Sequence, residues 1–156
     1  MKRVILVSLI ILSFLSAVAC ANTSQDVALK LVEKYRLGQN LSAISYQVAS
    51  QTQTYQIIVN ELGQQKGRST VEAEIDKLIP SYKNQWNKNL ASSYVEIISV
   101  EKLQSLVDEG RSSQYSNELK LKQNQIGPLM QSRSQTLINE LVTKALNAAF
   151  NHAMSK

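Results

Sequence analysis

Beyond Asn22, apolar residues recur at steps of three and four, which predicts helices rather than strands. Val27, Leu31 and Tyr35, flanked by Val32, mark an amphipathic helix over about 24–37, with Gly38 placed as a left-handed C-terminal cap. Asn40 stands where an N-cap side chain accepts a backbone N–H. Leu41, Ile44, Val48, Thr52, Tyr55, Val59 and Leu62 alternate three- and four-residue steps, predicting one unbroken helix over 41–62. Gly63 and Gly67 enclose a polar turn, and Ser69 with Glu72 has the spacing of a capping box. Val71, Ile75, Leu78 and Ile79 then make a short helix that stops near Pro80.

Ser81 restarts a longer helix through Tyr82, Trp86, Leu90, Tyr94 and Ile97. Ser99 precedes a short element carrying Leu103, Leu106 and Val107 and closed by Gly110. Tyr115, Leu119 and Ile126 lead to a break at Gly127-Pro128, and Leu129, Arg133, Leu137, Leu141, Ala145 and Ala148 line a final helix to about Asn151. Tyr55–Val59 and Tyr94–Ile98 have strand-like composition but lie inside longer 3.6-residue periods, so both read as helix. The expected fold is all-α: one compact domain of six or seven amphipathic helices over 22–156, after a cleaved signal peptide over 1–21.

The leader is read from a second pattern. Lys2 and Arg3 precede the apolar run Val4–Leu15, and small residues follow from Ser16 to Ala21, as in a secretory signal peptide. The run is shorter than the roughly 20 residues that span a bilayer. Ala19 and Ala21 are the two candidate cleavage positions: a cut after Ala21 discards the thiol, and a cut after Ala19 leaves Cys20 first. Cys20 is then a candidate lipidation site, although Ala17 occupies the place where a bacterial lipobox usually carries Leu. The expectation is export to the periplasm, or to the outer membrane as an anchored protein if Cys20 is acylated, with Ala21 rather than Asp in the next place.

Composition narrows the chemistry. Losing Lys2 and Arg3 leaves 15 basic residues against 12 acidic ones, a net +3, which aids solubility without specifying a partner. One Cys excludes an intramolecular disulfide, and one His disfavours zinc and relay sites. That His152 lies in a frayed-looking tail, a poor place for a general base. No G-x-S-x-G elbow and no EF-hand run occurs. Glu72, Glu74 and Asp76 read as first-turn acids that favour a helix N-terminus, whereas Asp108 and Glu109 sit at a helix C-terminus and are the residual carboxylate candidates. Tyr82-Lys83-Asn84-Gln85-Trp86-Asn87-Lys88-Asn89-Leu90 mixes aromatics with bases, as nucleic-acid binders do. Tyr82, Trp86 and Leu90 share one helix face, however, which reads as core with Lys83 and Lys88 solvated beside it. No catalytic, cofactor-binding or metal-binding residue is assigned.

Ser99 to Asp108, then Arg111-Ser112-Ser113 and Lys122-Gln123, resemble the C-terminal core of a family of exported bacterial proteins, domain of unknown function 2059. The resemblance runs from Tyr94 to Leu137, with Glu109-Gly110 where the family carries Phe-Tyr. It implies export and an all-helical mature chain, and it carries no active site. The leading expectation is a non-catalytic helical protein that binds a protein or another envelope component, with no cofactor, no nucleic acid, and membrane contact only through a lipidated Cys20. An immunity or inhibitor protein against a periplasmic toxin, a two-carboxylate cell-wall hydrolase, and a carrier of an apolar ligand are the alternatives.

Overall fold

The computed structural model describes residues 23–155; Ala19, Cys20 and Ala21, with the rest of the leader, lie outside them. Within that span the secondary structure is helical and holds no strand. Helix α1 covers 23–34. It is followed by α2 (Leu41–Ser50), α3 (Gln53–Leu62), α4 (Gln64–Ile97) and α5 (Val100–Glu109). A 3-10 turn (Gly110–Ser112), α6 (Ser116–Leu121) and α7 (Gln123–Met154) complete the order. Tyr55–Val59 is helical, as the longer period predicts, and so is Tyr94–Ile98 except for Ile98 itself, which ends α4 in an extended conformation.

Two long helices carry the fold. Tyr82 reaches Glu140, Asn89 reaches Ser134 and Glu96 pairs with Arg133, so residue numbers rise on one helix as they fall on the other: α4 and α7 are antiparallel. Ile75, Trp86, Leu90, Tyr94, Leu137, Leu141 and Ala145 are buried in one hydrophobic core shared with α1, α2, α3 and α5. Both long helices run through a proline. Pro80 does not stop α4, and Gly127-Pro128 does not break α7. Each proline removes a backbone bond at roughly 3 kcal/mol. Both rings are exposed, so the freed carbonyls meet water while buried residues on either side keep the axis continuous.

The break falls instead where no breaker stands. The expected helix over 41–62 is two helices, α2 and α3, meeting at Thr52. Its extended backbone lets the hydroxyl donate to the Ala49 carbonyl at 2.7 Å and accept the Tyr55 N–H at 3.2 Å, closing one helix and capping the next. Tyr46 and Tyr55 bridge the joint, hydroxyl to hydroxyl at 2.8 Å with rings edge to face. Burial and that hydroxyl contact push the Tyr55 phenol up to about 12.

Three cap expectations are corrected. Gly38 is not the left-handed residue after α1; Arg36 is, at φ 53°. Leu37 N–H bonds to Val32 O and Arg36 N–H to Glu33 O, the paired bonds of a Schellman ending. Gly38 serves close packing: a Cβ there would sit 2.1 Å from Asn87 Oδ1 and 3.1 Å from Trp86 Cδ1. Asn40 makes no side-chain cap bond. Ser69 donates to the Lys66 carbonyl and Glu72 pairs with Arg68, because α4 already begins at Gln64 and leaves no orphan N–H for a capping box. The predicted polar turn shrinks to Gly63, whose φ of 82° favours glycine. Gly67 lies inside α4, where a Cβ would meet Val59 Cα at 2.8 Å.

The buried stripe of α7 is also shifted. Ile126, Met130, Ser134, Leu137, Leu141, Ala145 and Ala149 face inward, Arg133 and Ala148 are exposed, and Leu129 is half-buried. An unbroken α7 that serves α2, α3 and α4 together needs a broader apolar arc than a short terminal helix.

Candidate functional site

The long α7 stripe separates two polar edges with opposite character. At 100° per residue, Arg133, Glu140 and Lys144 lie on one edge of the stripe, and Gln131, Gln135 and Asn139 on the other. The first edge is tied to α4. Tyr82 donates to Glu140, Lys144 donates to both, and Arg133 pairs with Glu96. Bonds from Lys144 and then Tyr82 hold the Glu140 carboxyl below its ordinary range, and Glu140 raises the Lys144 ammonium in return.

The second edge borders an open cleft of about 580 Å³ between α2, α4 and α7. That size falls within the range of small-ligand pockets. Its floor is apolar: Ile44 and Val48 from α2, Trp86, Leu90 and Tyr94 from α4, Met130 and Ile138 from α7. Its rim is amide: Asn40, Gln47 and Gln51 on the α2 side, Gln131, Gln135 and Asn139 on α7. None of the residues lining it is Asp, Glu, Lys, Arg or His. In a chain with 17 basic and 12 acidic residues, so long an uncharged surface is a selective feature of the fold.

The amides of that rim have no side-chain bonds among the described residues, in contrast to the paired edge. Gln123, at the end of the cleft, is the exception: it donates to the Leu119 carbonyl and bonds the Tyr94 hydroxyl. Burial raises the Tyr94 phenol, partly opposed by Gln123. On the floor, the Trp86 indole Nε1 is buried and finds no acceptor among the described residues. An unmet buried donor costs about 1–3 kcal/mol. The cleft therefore offers free amides at its edges above an apolar floor.

Of the candidate segment Tyr82–Leu90, two residues reach the cleft. Trp86 and Leu90 are buried and line the floor, while Tyr82 is half-buried on the opposite edge. Lys83 and Lys88 are exposed. Lys83 instead borders a second recess, of about 440 Å³, with Glu33, Arg36, Gln39 and Asn87. Glu72, Glu74 and Asp76 lie in mid-α4 rather than a first turn, where they face Arg68, Lys77 and the Ser42 hydroxyl respectively. Asp108 accepts from Gln104, and Glu109 accepts from the Ser105 hydroxyl. His152 is exposed on the last turn of α7, which is helical to Met154 and not frayed. Among the described residues, no three or more His, Cys, Asp or Glu converge as a metal site, and no helix is long and apolar enough to cross a membrane.

Sequence reasoning missed the cleft because its amides are scattered over two helices. The i, i+4, i+8 spacing of Gln131, Gln135 and Asn139 was the available signal. No family model matches this chain, and neither the curated proteins nor the solved structures contain a match to it.

Proposed function

We propose that this chain is an exported, non-catalytic protein that binds another macromolecule in the bacterial periplasm or envelope, and that it does so through the α2/α4/α7 cleft. The observation that carries the binding role is the combination of an apolar floor with a rim of unpaired, uncharged amides. Side chains engaged in holding a fold are bonded to one another, as on the Tyr82–Glu140–Lys144 edge. Side chains left free around a concave apolar surface suit recognition. The leader pattern of Lys2 and Arg3, Val4–Leu15 and the small residues after it supports export, and the resemblance over residues 94–137 to domain of unknown function 2059 supports the same destination.

Affinity capture from an envelope fraction tests both parts. Intact mass of the mature protein is expected to show a first residue at Cys20 or Asn22, with an added acyl mass if Cys20 is lipidated. Val48→Trp fills the cleft and is expected to abolish capture, whereas Glu140→Gln on the opposite edge retains it. Capture that survives Val48→Trp, or a mature chain still beginning at Met1, overturns the corresponding half of the proposal.

A further inference from the structure

Given the cleft as the binding surface, the geometry points to its ligand class: an extended, uncharged peptide segment of a partner protein, held along its backbone by the Gln and Asn rails. Three chemistries fit an apolar floor with a neutral polar rim, and the structure separates them. A glycan needs an open aromatic face, yet Trp86 and Tyr94 are only 3% and 4% exposed. An acyl chain covers the floor but gives the six free amides nothing to bond. A peptide backbone alternates N–H and C=O groups, and a primary amide is the neutral side chain that both donates and accepts, so one Gln answers both.

Spacing agrees with this assignment. Gln131, Gln135 and Asn139 repeat every four residues of α7, about 6 Å along the axis. An extended chain repeats every two residues, at about 6.6–6.8 Å. The α2 rail from Asn40 to Gln51 runs about 16 Å, enough for roughly five extended residues. Alternate side chains then point to the floor at Ile44, Val48 and Met130. With no charge on rim or floor, a charged segment would lose its hydration without a counter-ion, which selects neutral sequences.

The test uses the mature chain and a pool of acetylated, amidated peptides of about six residues drawn from Ala, Val, Leu, Ser and Thr. The single tryptophan of the protein, Trp86, reports binding by fluorescence. Saturable binding is expected, unchanged between about 0.05 and about 0.5 M NaCl. Replacing Gln131 and Gln135 together by Leu is expected to weaken it at least about ten-fold. Gln47→Ala with Gln51→Ala repeats the measurement on exposed α2 positions, and circular dichroism verifies each fold. Peptide affinity indifferent to both amide pairs overturns the inference, as does a pool that fails to bind. If a neutral monoacylglycerol or a chito-oligosaccharide binds instead and Val48→Trp blocks it, the cleft stands and the peptide class falls. If Val48→Trp leaves capture of the envelope partner intact, the cleft reading itself fails.

Discussion

The two polar edges of α7 are built from the same helix, separated only by its buried stripe, and they differ in what their side chains do. On one, Arg133, Glu140 and Lys144 close against Glu96 and Tyr82 of α4. On the other, Gln131, Gln135 and Asn139 line an open cleft, and their side chains make no hydrogen bonds among the described residues. The first edge is where α4 lies directly alongside and its polar groups reach across. The second is where α2 is too short, ten residues against 32, to cover the whole flank of α7. A polar residue on a helix margin becomes a latch or a contact according to whether a neighbouring helix extends past it.

That difference is sharpened by substitutions that act on the core beneath both edges, on one end of the cleft, or on a single edge. Leu141→Ala has the largest expected effect, since Leu141 is fully buried in the stripe between the edges. It should cost about 2–5 kcal/mol in urea unfolding and weaken both edges together. Gly38→Ala comes next: its Cβ collides with Asn87 and crowds Trp86. It should cost about 1–3 kcal/mol, with an altered Trp86 emission from the cleft floor.

Glu140→Gln loosens only the latched edge, and its signature is pH dependence. The folded Glu140 carboxyl titrates below its ordinary value of 4.5. Its stabilisation is therefore present above that value and is lost as pH falls through it toward the folded pKa. Unfolding midpoints of the parent protein should thus fall more steeply from about pH 6 to about pH 3 than those of the variant. Gln135→Ala has the smallest effect on stability, within about 0.5 kcal/mol. A larger loss there would show that the amide edge also holds the fold and would erase the contrast.

Fold class was legible because the apolar spacing of Val27 and Leu31, or Leu103 and Leu106, is local, and each of these residues is buried as expected. Helix punctuation departs from residue type in both directions. Pro80 and Pro128 look decisive alone, but one lost backbone bond is small beside the packing on either side. Thr52 looked like one more position in an even series, yet its hydroxyl bonds both flanking helices. Residue type alone makes Gly38 a left-handed helix cap, whereas its use depends on Trp86 and Asn87, far away in sequence.

The candidate site shows the same boundary. Charge, the residue pattern from Lys2 to Ala21 and the single Cys and single His are properties of residue identity, so they are read without coordinates. Helical periodicity belongs with them, because it arises from contacts three and four residues apart. Which polar residues face a partner helix and which border open space depends on where helices of unequal length end against one another. That is a relation between residues as distant as Gln47 and Gln135, and only packing of the whole chain sets it.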